Sequence, residues 1–423
     1  MAKQAGKSTT NLLRLVQERA ICKGKEQPIS KEKENKKNKK EKYFVPDLPK
    51  DCIYKILMIL PIESLQRSRF VCKPWFNMIN NSLFVEAHLR RSEMVLIFLS
   101  KSIQGGTSSN ENVFHVDDLL KSQPEPFSIF QRPILEPDEK FYMQFMEIED
   151  GKSTVRSLNL SCLGKIRATC NGLILLEHKL KRGGSLVINP ITRKMIPIPL
   201  GTISTPHNES FGFAFSSCTE EYRVVHLFRD ESGYVGCEII TVGSRPWRVI
   251  DGPKYGLFGW FGNEPVFATG ALHWVPHMNR SEYIVSLGVE DERFRQIPLP
   301  KSSKRYDRLV EMGGSLSFLN HVNHNQIDVW ILKDLDGDWT MKHSITVGYV
   351  MDMVPVGCSR NNSEVLVFMR SRDKSLHTYD IEQQEMRKIE IMEGCFPSAG
   401  SYVPHINSLV SWKRHSDQRL GDI

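Results

Sequence analysis

The sequence predicts an α+β multidomain chain: a short three-helix module followed by an all-β propeller of roughly six or seven blades. Three observations predict it. Apolar residues between Val45 and Arg91 recur at helical spacing. After residue 92 that pattern gives way to short β-rich runs punctuated by Gly and Pro. Those runs then repeat with a period near 47 residues.

Taken in order, residues 1–44 read as a basic tail. Residues 1–42 hold 13 Lys+Arg against 5 acidic residues, which leaves 43 against 44 for the rest of the chain. The whole excess of the +7 net charge therefore sits in the tail, and a nucleic-acid-binding globular domain, which needs a basic face of its own, is disfavoured. Lys23–Lys42 is poor in apolar residues and is expected to be disordered. Lys36, Lys37, Lys39 and Lys40 fit a nuclear localisation signal and equally a solvated spacer. A short helix over residues 8–21 would fit a mitochondrial presequence less well, because Glu18 and the lysine-rich continuation oppose it.

In residues 45–92, Ile53, Ile56, Leu57 and Leu60 fall at i, i+3, i+4 and i+7, one apolar helical stripe. Asp51 suits the first turn, Pro61 ends the helix, and Pro74 suits the first turn of the next. Trp75, Met78 and Ile79 repeat the spacing. A module this small buries too little surface to stand alone, since domains below ~40 residues are rarely stable, so a partner surface is expected to cover part of the stripe.

Leu48-Pro49, Ile56-Leu57, Leu60-Pro61, Ser64-Leu65, Val71-Cys72-Lys73 and Trp75 together resemble an F-box. Two positions depart from that pattern: Lys55 stands where an acidic residue is common, and Asn81-Ser82 replaces Asp-Pro. The resemblance implies docking to a Skp-type adaptor, and through it to a cullin, by Leu48, Pro49, Ile56, Leu57, Leu60, Pro61, Leu65, Val71, Cys72 and Trp75. Trp75 and the leucines are the expected hot spots.

Residues 93–415 carry the repeat. Met195, Trp247, Phe294, Trp339 and Met386 serve as anchors at spacings of 52, 47, 45 and 47, each after a strand and a polar turn. A second strand lies 23 to 25 residues upstream, beginning at Gly172, Arg223, Gly270, Gly314 and Ser363. Two strands in fixed register predict one four-stranded sheet per repeat. Such sheets bury their faces only by stacking around a ring, here of kelch-like period. Residues 93–165 and 395–413 are expected to add one or two further units, including closing strands; residues 416–423 are a tail. Cys170-Asn171-Gly172-Leu173-Ile174, Asn189-Pro190-Ile191-Thr192-Arg193-Lys194, Gly270-Ala271-Leu272-His273-Trp274, Ile297-Pro298-Leu299-Pro300 and Val329-Trp330-Ile331-Leu332 resemble motifs of the F-box-associated domain of plant F-box proteins.

Signals for other chemistry fail on spacing. Gly6-Lys7-Ser8-Thr9 and Gly151-Lys152-Ser153-Thr154 lack the earlier glycine of a phosphate-binding loop, with Met1 and Met146 in its place. Asp334, Asp336 and Asp338 imitate a calcium loop, but Gly337 is misplaced and the expected reading is a strand–turn–strand connection. The pairs His273/His277 and His321/His324 lack further ligands nearby, so no metal or other cofactor is expected. The nine cysteines contain no C-x-x-C pair and read as reduced packing residues, Cys52 and Cys72 among them. Met94–Leu99 is far short of the ~20 residues of a membrane helix, and a secretory core is lacking at the N-terminus.

These expectations converge on a non-catalytic substrate receptor of an SCF-type ubiquitin ligase, acting in nucleus or cytoplasm. Its propeller presents loops such as Phe258–Asn263 and Asn320–Gln326 to a protein target that the sequence does not name. The alternative is a propeller-fold enzyme or metal-dependent oxidase with an accessory helical lobe, since a propeller can host chemistry.

Overall fold

Proline sets the first helical boundaries. The computed structural model describes residues 48–100, 114–115, 141–149, 151–162, 164–178, 184–202, 209–230, 232–254, 264–276, 280–359, 364–391, 396–397 and 399–412. The tail lysines, Trp260, Phe261 and His277 lie outside the described residues. The chain divides into two compact units, Met1–Arg90 and Arg91–Ile423.

Among its described residues the first unit holds four helices: α1 (Lys50–Met58), α2 (Ile62–Ser68), α3 (Lys73–Ile79) and α4 (Ser82–Arg91). Pro49 and Pro61 are the N-caps of α1 and α2, with near-identical extended backbone (φ −54°, ψ 147° and φ −55°, ψ 148°). So the two Leu-Pro pairs start helices; α1 itself stops at Met58, before Pro61 is reached. Pro74 occupies the first turn of α3, where its missing N–H costs nothing. A fourth short helix adds to the three that were expected. Its buried face is Phe84 and His88, an i, i+4 pair, and the Asn81 carboxamide accepts the Leu83 N–H at its start.

The second unit is a closed ring of six sheets. Blade 1 joins the two ends of the unit. It contains β1 (Met94–Ser100), β2 (Phe114–His115), β3 (Phe141–Glu149), β4 (Lys152–Cys162) and, from the far end of the chain, β25 (Ala399–Ile406). The order is β2-β4-β3-β1-β25, so the last strand is the innermost. Blade 2 is β5 (Ile166–Cys170), β6 (Leu173–His178), β7 (Gly184–Asn189) and β8 (Lys194–Ile198). Blade 3 is β9 (Glu209–Ser216), β10 (Glu221–Arg229), β11 (Val235–Thr241) and β12 (Arg248–Ile250). Blade 4 is β13 (Val266–Ala268), β14 (Ala271–Trp274), β15 (Tyr283–Gly288) and β16 (Phe294–Pro298). Blade 5 is β17 (Arg308–Met312), β18 (Ser315–Asn323), β19 (Gln326–Leu332) and β20 (Thr340–Thr346). Blade 6 is β21 (Met353–Ser359), β22 (Val365–Arg370), β23 (Leu376–Asp380) and β24 (Glu385–Lys388). The inner strands touch in the cycle β25-β5-β9-β13-β17-β21 and back to β25.

The anchors of the repeat now have a structural meaning. Met195, Trp247, Phe294, Trp339 and Met386 all lie at or just before the start of an outermost strand. Two of them tie neighbouring blades: Trp247 Nε1 donates to the Pro199 carbonyl and Trp339 Nε1 to that of Pro298, each at 2.8 Å. The glycine-led upstream strands are second strands, and Gly172, Gly270 and Gly314 close two-residue hairpins with Asn171, Thr269 and Gly313, all at positive φ. Residues 334–338 connect β19 to β20, as the strand–turn–strand expectation had it.

The segment after β25 acts as a strap under blade 2. The Asn189 side chain is fully buried; its amide donates to the carbonyls of Ser408 (3.0 Å) and Val410 (2.8 Å), while its oxygen accepts the N–H groups of Ile191 and Thr192. Ser408 Oγ donates to the Asn171 carbonyl at 2.6 Å, and a Cβ on Gly172 would come within 2.0 Å of that hydroxyl oxygen. Trp412 packs with Cys170, Leu173, Leu175 and Val187. The motifs around Asn171 and Asn189 thus hold the ring shut.

Candidate functional site: the helical lobe

Building the lobe from its side chains separates core from surface. Leu57, Leu60, Ile62, Leu65, Trp75, Ile79 and Phe84 are buried. Phe84 meets Tyr54 edge-on at 5.3 Å and stacks on His88, whose Nε2 is 3.2 Å from the Leu60 carbonyl oxygen. Ser68 Oγ donates to the Ser64 carbonyl. α4 therefore closes over the end of α1 and completes a small private core.

That core changes the reading of the sequence-derived docking set. Leu57, Leu60, Leu65 and Trp75 lie in the lobe interior, Ile56, Val71 and Cys72 are half-buried, and Leu48, Pro49 and Pro61 are exposed. The stripe of α1 thus faces the lobe itself, with Ile53 and Ile56 on its margin, because a three-to-four-residue spacing selects a helix face without saying what covers it. Of the expected hot spots, Leu57, Leu60, Leu65 and Trp75 are 0–5% exposed and present little surface of their own, whereas Leu48 is 43% exposed. Cys52 is exposed and Cys72 intermediate, against the expectation that both pack inside. Lys55, Asn81 and Ser82, the positions that depart from the F-box pattern, are all exposed.

Large apolar side chains that periodicity did not single out face solvent instead. Phe70 is 80% exposed, Leu83 72% and Ile59 58%, with Leu48, Phe76 and Tyr54 also exposed. The Arg69 guanidinium lies 5.8 Å from the Phe76 ring centroid and donates to Asn80 Oδ1, a cation–π contact beside Phe70. Covering an apolar side chain of this size stabilises by ~1.5–3 kcal/mol, so these residues are where a partner gains most. The one signal in the sequence was density: too many large apolar residues for so short a lobe.

In the propeller, two of the histidines weighed as ligands, His273 and His321, are engaged inside, whereas His324 is exposed. His273 Nδ1 is 2.7 Å from Ser286 Oγ and its Nε2 3.1 Å from the Ala268 carbonyl oxygen; burial pushes its pKa down to about 4. His321 Nδ1 is 2.8 Å from Asp307 Oδ1. Arg167, 3% exposed, joins three carboxylates: Glu177 and Glu209 at 3.0 Å and Glu264 at 3.5 Å. His226, stacked on Phe211 at 4.3 Å, lies between Glu209 (3.4 Å) and Glu238 (2.8 Å). Burial opposes the charging of His226, yet its hydrogen bonds to both carboxylates leave its pKa raised. This network ties blades 2 and 3. Among the described residues no group of three or more His, Cys, Asp and Glu side chains is arranged to hold a metal.

Comparison with known proteins agrees with the division of the chain. The F-box domain matches residues 45–86, and the F-box associated beta propeller domain matches residues 128–406. The chain is 24% identical over 334 residues to F-box protein At3g07870 of Arabidopsis thaliana, covering 70% of this chain and 72% of that protein. It is 22% identical over 402 residues to F-box protein CPR1 of Arabidopsis thaliana, covering 86% and 88%. F-box/kelch-repeat protein At3g04660 of the same plant is 22% identical over 334 residues, covering 73% and 75%.

Proposed function

We propose a function from the premise that this chain belongs to the F-box-associated β-propeller family and carries an F-box. That build, shared with F-box proteins, supports a role in substrate recognition by an SCF ubiquitin ligase. In the proposal the helical lobe docks on a Skp-type adaptor, which links it to a cullin, while the propeller holds a protein target. The chain contributes no chemistry; it raises the target's effective concentration near the ubiquitin-charged enzyme.

The observation that carries this is the exposed apolar set on an otherwise closed lobe. We place the docking face on Leu48, Pro49, Pro61, Val71 and Cys72, extended by Ile59, Phe70 and Phe76. Leu57, Leu60, Leu65 and Trp75 then act by holding the helices that present it. The test is reconstitution of the full chain with a purified adaptor–cullin complex. Co-elution as a stable complex supports the proposal, and a monodisperse chain that never co-elutes sinks it. For location, we propose import through Lys36, Lys37, Lys39 and Lys40 on the composition of the tail alone. A fluorescent fusion with alanine at those four positions that still enters the nucleus like the parent contradicts this.

A further inference from the structure

The antiparallel order of the blades gives the propeller two unlike faces. One carries the tight turns that join first to second and third to fourth strands; the other carries the loops that join second to third strands and each blade to the next. On this second face, loops of blades 5 and 6 meet in a continuous strip. Lys304, in the loop before β17, donates through Nζ to the carbonyls of His321 and Val322, the latter at 2.9 Å. The β18–β19 turn pairs with the loop before β21, since the Val350 N–H donates to the His324 carbonyl at 2.8 Å and that of Val347 to Asn325 at 3.1 Å. That loop in turn meets the β22–β23 turn: the Ser371 N–H donates to the Asp352 carbonyl at 2.7 Å, and Arg372 Nε is 3.7 Å from Asp352 Oδ2.

Charge along the strip is one-sided. Its exposed cations in the loops 299–307, 347–352 and 371–375 are Lys301, Lys304, Arg305, Arg372 and Lys374. Asp307 and Asp352 are buried, Asp307 taking the Lys304 and His321 N–H groups. The exposed carboxylate Asp373 is occupied by the Ser375 N–H and hydroxyl. Apolar surface lies among the cations: Tyr349 is 55% exposed and Val322 40%, and the Arg305 guanidinium stands 5.4 Å from the Tyr306 ring centroid.

We infer that this strip is the target-docking surface and that its occupant is an acidic peptide segment with interspersed apolar residues. Carboxylates would meet the five cations while apolar side chains settle on Tyr349 and Val322. The inference rests on the propeller being the target-binding part of the protein. Such a surface steers association electrostatically, so binding weakens with salt.

The test uses the full chain and two fluorescein-labelled peptides read by anisotropy: one of Asp and Glu interspersed with Leu and Phe, the other with Lys at every acidic position. The expected result is salt-sensitive binding of the acidic peptide only. Lys301→Glu, Arg305→Glu and Lys374→Glu together should weaken it at least ~10-fold, while Arg293→Glu with Lys333→Glu, on the turn face, leaves it unchanged. Equal binding of the two peptides, absence of binding, or a triple variant that binds like the parent overturns the inference; the last outcome assigns the acidic peptide to the lysine tail. Adaptor binding measured on the same variants should not move. Its absence in the parent chain would sink the ligase assignment while leaving the peptide result standing.

Discussion

The helical lobe and the propeller treat apolar surface in opposite ways. Residues 48–91 leave six large apolar side chains exposed, whereas the whole propeller leaves seven among its described residues. The ring can close on itself: every blade face is stacked on a neighbour, and β25 with its strap seals the last seam. Four short helices have no such option. Their core is filled by Leu57, Leu65, Trp75, Ile79 and Phe84, and what remains must wait for another surface. Self-sufficiency in one unit and its lack in the other fits the proposed pairing of a docking module with a target-binding propeller.

The strongest way to break the contrast is to empty the lobe's core. Trp75→Ala should cost ~3–5 kcal/mol and Leu57→Ala ~2–5 kcal/mol. Limited proteolysis should then cut within residues 48–91 while the propeller stays resistant; equal loss of both units would mean their stabilities are not separate.

Acid probes the propeller next. Burial holds the folded pKa of His273 near about 4, while the unfolded chain takes up its proton near ~6.5. Stability present above that value is lost as pH falls toward 4, ~3 kcal/mol for this group. His226 works in the opposite sense: its raised pKa adds stability below ~6.5 that fades as pH rises. Denaturant melts of the parent and His273→Gln against pH check the larger effect, with the variant expected to be flatter between pH 6.5 and 4.

Asn189→Ala should cost the ring ~1–3 kcal/mol, because it strands two strap carbonyls and two turn N–H groups. Its melting temperature should fall while adaptor binding holds. The smallest effect is expected at Val249→Ser and Met341→Ser, apolar side chains exposed on outer strands of the ring: less than ~0.5 kcal/mol by the same melts, and no change in adaptor affinity.

Which parts were legible from sequence follows from the same physics. Outer strands announced themselves because tryptophan anchors such as Trp247 and Trp339 must reach a fixed carbonyl on the preceding blade, which fixes their spacing. The inner strands did not, being as short as Val266–Ala268 and free of a shared anchor. Blade 1 could only be bracketed, since Met94 pairs with Ile406 across nearly the whole unit. In the lobe, periodicity found the helices and their apolar stripe but not which part of that stripe the lobe's own core covers. Exposure of Phe70, Ile59 and Leu83 depends on how the four helices close around Trp75 and Phe84, and no spacing rule encodes that.

The most direct test of the central claim compares adaptor affinity of the parent chain with Leu48→Ala plus Phe70→Ala, with helical content followed by circular dichroism. Both side chains are exposed, so the fold should be kept, and loss of ~2 kcal/mol or more should weaken binding at least ~30-fold. An intact double variant that binds the adaptor as tightly as the parent would contradict the assignment of this face.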